Sequence, residues 1–250
     1  MRTRHILLAS LFLFSSVPGM AKPGERSIHL VTHESSPFMD PKLPDQGALI
    51  YALKIIFKKM NYDFKVTILD SWPRAKFKAS KDPSIDGYVP YISKENTDEF
   101  LYSDYFYSAQ WGLAERKDNP IKWKKIEDLA AYTAGNVQGV EYRDEIKKLV
   151  DSGKLKVTST SLQENNIRLL GTRRVDFIFT DLTTFMYELK TNKALAEFKD
   201  VLQINNKPIT ISRYGLAIRK NHLPANFMAE FNKLSKDIDV YQDEYFKNLP

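Results

Sequence analysis

The residues best suited to chemistry in this chain stand where predicted strands end. The apolar-rich run Arg174 to Thr180 reads as a buried strand that delivers Asp181 to its C-terminal end, just before the helical pattern Leu182 to Lys190. Gly139 lies in Gly135-Asn136-Val137-Gln138-Gly139-Val140-Glu141-Tyr142, a strand giving way to a helix through a tight turn. Strand ends that present one carboxylate and the N–H groups of helix N-termini are how α/β proteins hold small polar ligands. Asp181 would receive a cationic group, and it is equally suited to capping the helix that follows it. The turn from Gly139 to Tyr142 would aim N–H groups at an anionic group.

Arg74 opens a helix after Trp72-Pro73, where a cation opposes the helix dipole, so it serves either a ligand or the solvated surface. Phe38 and Trp72 stand in strand-end loops and offer an apolar face either to a ligand or to the core. Glu34, Tyr107, Gln110 and Arg168 complete the set of candidates for a cleft. Catalytic signatures are missing from the sequence. There is no cysteine, and the four histidines (His5, His29, His33 and His222) form no cluster with metal-ligand spacing. Neither a Ser-His-Asp order nor a cofactor loop is present, so no catalytic residue, metal or cofactor is assigned.

These residues hang on an alternation of strands and helices. Ser27 to His33 reads as the first strand, Gly47 to Met60 as a helix by the spacing of Leu49, Ala52, Leu53 and Ile56, and Phe64 to Leu69 as the second strand. A helix from Trp72 to before Asp82, a strand Ile85 to Tyr91 and a strand Ala109 to Ala114 follow. Beyond the breaker Asp118-Asn119-Pro120 comes a second series: helix at Ile126 to Leu129, strand Tyr132 to Val137, helix Tyr142 to Val150 and strand Leu155 to Thr158. Ser161 and Glu164 have the spacing of a capping box for a helix ending at Leu170. Ile209 to Ile218 reads as a returning strand, and Asn226 to Ile238 as a closing helix. The fold class this predicts is α/β, with two lobes joined by two strand crossings.

The first 21 residues predict export. Arg2, Arg4 and His5 precede an apolar run, Ile6 to Val17, that is shorter than the ~20 residues needed to span a bilayer. Pro18 and the small residues before Ala21 mark a cleavage site. Removing Arg2 and Arg4 takes the net charge from +6 to +4, and Lys alternates with Asp and Glu along the chain, a solvated-surface pattern that argues against nucleic-acid binding.

Several blocks together resemble the bacterial extracytoplasmic solute-binding proteins of the amino-acid-binding type. They are the stretch from Glu127 to Asp181, Ser36-Pro37-Phe38, Trp72-Pro73-Arg74-Ala75, Asp86-Gly87 and Leu101-Tyr102-Ser103-Asp104-Tyr105-Phe106. The Trp-x-Arg-Ala block is similar to that of a poorly characterised subgroup. The resemblance implies the two-lobed periplasmic-binding-protein fold with two hinge crossings and a central cleft. It implies a signal peptide at 1–21, a discontinuous lobe 1 at 22–114 plus 210–250, and lobe 2 at 115–209. It further implies a monomer free in the periplasm, not inserted in the membrane, that hands a small polar ligand to an ABC permease or a membrane sensor. Asp181 matches the family's carboxylate for a ligand ammonium group. The family's Arg for the ligand carboxylate has no counterpart, since Asn96 or Thr97 stands in its place and Lys94 lacks the planar fork. Two other classes stay open: an exported dehydratase-like enzyme using Glu34 and Asp181, and a ligand-free partner of a membrane sensor.

Overall fold

A computed structural model describes residues 26–92, 98–139, 142, 144–220 and 223–248. The expected signal peptide and the loop positions Lys94, Asn96 and Thr97 lie outside the described residues.

The chain opens with strand β1 (Arg26–His33), helix α1 (Ala48–Lys59) and strand β2 (Tyr62–Leu69), which pairs parallel to β1 over its whole length. A parallel pair needs a crossover, and α1 supplies it. Helix α2 (Trp72–Lys81) then leads to β3 (Gly87–Tyr91), parallel to the other edge of β1. Short β4 (Phe100–Tyr102) precedes the ten-residue β5 (Tyr107–Arg116). The second series runs β6 (Thr133–Val137), α3 (Asp144–Asp151), β7 (Lys156–Thr160), α4 (Gln163–Gly171), β8 (Phe177–Asp181) and α5 (Leu182–Thr191). Short β9 (Leu202–Ile204), long β10 (Thr210–Arg219) and helices α6 (Phe227–Leu234) and α7 (Ile238–Lys247) close the chain.

The strands lie in the order β2-β1-β3-β10-β5-β8-β6-β7. Each end of this series is a parallel trio with its first strand in the middle, β2-β1-β3 and β7-β6-β8. Between the trios run β10 and β5, antiparallel to each other from Tyr107 to Trp111 and from Thr210 to Tyr214. The rest of β5 pairs with β8 and β9, and the rest of β10 with β3 and β4. Each strand thus joins one trio along one half and its partner strand along the other.

Separate apolar cores cover the two trios. Leu49, Leu53, Ile56 and Phe57 of α1 pack with Leu30, Leu216, Phe231 and Tyr245, so the C-terminal helices belong to the first core. Ile167, Leu170, Ile178 and Phe185 form one core of the second trio, and Leu129, Ile146, Phe177 and Phe179 another. Among the described residues no helix is long and apolar enough to cross a membrane.

Several expectations need correction. The closing helix is two helices, broken by a single tighter turn at Ser235–Asp237. The helix expected from Tyr142 starts at Asp144. The Ser161–Glu164 capping box does not form: Leu162 takes the N-cap position with no side-chain cap, because the chain turns one residue later than the spacing assumes. Glu164 instead bonds Arg168 and Asn192.

Phe57 is fully buried and its ring lies 4.9 Å from Phe64 and 5.7 Å from Phe231. Truncation there leaves a cavity between α1, β2 and α6. Phe57→Ala is therefore expected to lower unfolding free energy by about 3–5 kcal/mol in urea titrations, and a loss below 1 kcal/mol would contradict this packing.

Candidate functional site

The C-terminal ends of both parallel trios point at one cavity of about 130 Å³. From the first trio come His33, Glu34 and Ser35 after β1, and Pro90 and Ile92 at the end of β3. The second trio contributes Val137, Gln138 and Gly139 at the end of β6, and Thr180 and Asp181 at the end of β8. Phe38, Met39 and Trp72 cover one side, Gln163 and Thr184 the other. Ligand sites outside the carboxyl ends of parallel strands are the rule for α/β sheets.

The floor is the β5–β10 pair. Side chains alternate along a strand, so Tyr107, Ala109 and Trp111 share a face, and cross-strand partners in register share it too. Tyr107 faces Tyr214, Ala109 faces Ser212, and Trp111 faces Asp181 of β8. All six line the cavity. The Tyr107 and Tyr214 rings stack at 5.3 Å, Phe38 lies 5.1 Å from Tyr107, and Trp111 Nε1 donates to the Tyr214 hydroxyl at 2.7 Å.

Asp181 does two things at once. It is the N-cap of α5, with Oδ1 accepting from the Thr184 N–H at 2.7 Å. It also faces the cavity, and no cation pairs with it among the described residues. Burial pushes its carboxyl above the usual range, against the downward pull of the Thr183 and Thr184 hydrogen bonds. Burial, followed by the Asp181 charge, likewise raises the Tyr107 hydroxyl. His33 keeps some accessible surface, yet its Nδ1 is buried without a partner. Burial lowers its pKa to about 4, so the imidazole is neutral at pH 7. Its ring sits 5.3 Å from Trp72.

The two trios also touch across the cavity. Gly139 has φ +83°, a left-handed conformation that glycine takes without strain, and a Cβ there would lie 2.9 Å from Pro73 Cδ and 3.2 Å from Trp72 Cδ1. Between the loop after β1 and α5, the Ser36 hydroxyl donates to Asp40 and also meets Glu188. Burial raises the Glu188 carboxyl, with Asp40 and Glu164 adding to the shift.

The structure brings Glu34, Phe38, Trp72, Tyr107, Gly139 and Asp181 together around the cavity. It places the other four candidates elsewhere. Arg74 bonds Asp70 through both carboxylate oxygens at 2.7 Å, on an exposed turn. Arg168 is held by Glu164 at 3.1 Å. Gln110 is exposed on the far face of β5, one residue out of phase with the floor. Tyr142 packs edge-on against Phe179 at 5.3 Å, with its hydroxyl on Asn136, behind the wall. The residues missed were His33, Trp111 and Tyr214. Strict two-residue alternation from Tyr107 would have found Trp111, whereas His33 owes its place to tertiary burial. Among the described residues, no group of three His, Asp or Glu could hold a metal ion.

No protein-family model matches the chain, and no curated protein matches it. Solved structures do. The GluR0 ligand-binding core from Nostoc punctiforme in complex with L-glutamate is similar with a TM-score of 0.67 at 18% identity, over 88% of this chain and 98% of that one. An ancestral arginine-binding protein bound to arginine is similar at 0.68 and 21% identity, over 88% and 96%. A histidine kinase sensor domain with similarity to periplasmic binding proteins matches at 0.68 and 18% identity, over 90% and 96%. At these identities the likeness establishes the fold: this is the two-lobed periplasmic-binding-protein architecture.

Asp181→Asn separates the two roles of that residue, because Asn caps a helix as well as Asp. The folded-state pKa of Asp181 is raised, so the wild type loses stability as pH climbs from the unfolded carboxylate value through the folded one. The variant is therefore expected to melt higher than the ligand-free wild type at pH 7, with the gap closing as pH falls. Asp181→Ala forfeits the cap and gives back about 1 kcal/mol of that gain. Melting curves between pH 4 and 8 decide this; an Asn variant less stable at pH 7 refutes the strained carboxylate.

Proposed function

We propose that this chain is an extracytoplasmic solute-binding protein of the amino-acid-binding type. One lobe comprises residues 22–114 with 210–250 and the other 115–209, closing over a small amine-bearing ligand in the periplasm after removal of residues 1–21. The reading is carried by one observation: strand ends of both parallel trios converge on one cavity whose floor holds a largely desolvated carboxylate with no cation beside it among the described residues. A ligand ammonium group completes Asp181, and the Thr183 and Thr184 N–H groups keep the carboxylate oriented. His33 Nδ1 offers the ligand a second polar contact. The bound protein passes its ligand to a membrane permease for import or reports it to a membrane sensor, as a free monomer.

A ligand at 100 times its dissociation constant adds about 2.7 kcal/mol to stability, which for a chain of this size raises the melting temperature by roughly 5–10 °C. A melting screen of amino acids, amines, polyamines, short peptides and organic acids is expected to produce such a shift, and a flat response to every class overturns the reading. Closure predicts a further result. The Gly139 turn meets Trp72 and Pro73 across the cavity, so Gly139→Ala is expected to weaken a ligand found in the screen by about tenfold, or ~1.4 kcal/mol, measured by calorimetric titration. Unchanged affinity would show that this contact is not part of binding.

A further inference from the structure

The charge on the cavity wall is one-sided. Among the described lining residues the carboxylates are Glu34 and Asp181, and neither Lys nor Arg is present. Glu34 has Lys42 3.6 Å away at the exposed rim. Asp181 has only the N–H and hydroxyl groups at the start of α5. His33, the remaining basic group of the described lining, is neutral at pH 7.

Aromatic rings share the same wall. Phe38, Trp72, Tyr107, Trp111 and Tyr214 all line the cavity, and Trp111 is the in-register strand neighbour of Asp181. Ring faces are electron-rich and attract cations, most strongly for Trp and in water-poor sites. A carboxylate is unwelcome in the same space. Its desolvation needs charged or multiple converging donors, and the described wall offers the neutral side chains of Ser35, Gln138, Gln163 and Ser212 instead. The cavity of about 130 Å³ suits a small occupant.

We infer that the site takes a small organic cation carrying no carboxylate, its ammonium centre on Asp181 and its methyl or methylene groups against Trp111, Tyr107 and Tyr214. This deepens the binding-protein reading and rests on it.

Matched pairs that differ only at the carboxylate test it directly. Calorimetric titration of the mature protein with choline against glycine betaine, and with ethanolamine against glycine, compares an alcohol with its carboxylate twin. In at least one pair the alcohol is expected to bind at least tenfold more tightly than its twin. Trp111→Leu and, as a second variant in a separate element, Trp72→Leu are each expected to weaken that alcohol at least tenfold, with Asp181→Asn removing its binding, in proteins whose melting curves show them folded. A twin that binds as well as or better than its alcohol overturns the inference while leaving a binding protein in place. No binding by any of the four overturns it too, and if the wider screen is also flat the binding reading falls with it. Full affinity in both folded Trp variants would likewise overturn it.

Discussion

Everything in this molecule is arranged around the antiparallel pairing of Tyr107–Trp111 with Thr210–Tyr214. Each of the two strands is long enough to pair along one half with a parallel trio and along the other with its partner strand. The pairing therefore fixes the trios relative to one another with ten backbone residues and no disulfide. It also sets the phase of the site. Because alternation is strict, fixing Tyr107 opposite Tyr214 decides that Trp111 and Asp181 face inward and that Gln110 faces out.

The cavity holds groups that a stability-driven sequence would not choose. Among the described residues, a largely desolvated carboxylate without a cation and a buried imidazole nitrogen without a partner both detract from the folded state. The rest of the fold shows the opposite habit. Glu115, more fully buried, takes the Ile121 N–H and the side-chain amides of Gln203 and Asn205. Asp118 is shared between Arg116 and Arg173. Incomplete polar groups are concentrated where an occupant would complete them, which is where local consistency is expected to fail in a protein that binds something.

Most of the α/β order was legible because the two hydrophobic periods are clean: Leu49, Ala52, Leu53 and Ile56 are buried at helical spacing, and Phe177 to Thr180 is buried throughout. What was not legible has particular causes. The aromatic floor depends on pairing between residues about a hundred positions apart, which no local window contains. Gln110 was misplaced through phase, since an exposed amide and a cleft amide look alike without register. Arg74 and Arg168 were different. Each has an acid four residues before it, Asp70 and Glu164, and that spacing already signalled a helix-surface pair. The position of His33 came only from the packing of Trp72 over the end of β1.

Helix α5 is capped at the cavity by Asp181 and carries Glu188, two turns on, to Ser36 and the charge of Asp40 in the loop after β1. The helical stretch from Asp181 to Glu188 is a rigid rod of about 10 Å. One inflexible piece thus couples the carboxylate at the cavity floor to a contact between the two halves of the series. Like a lever, it passes any displacement of Asp181 on to the Ser36 contact.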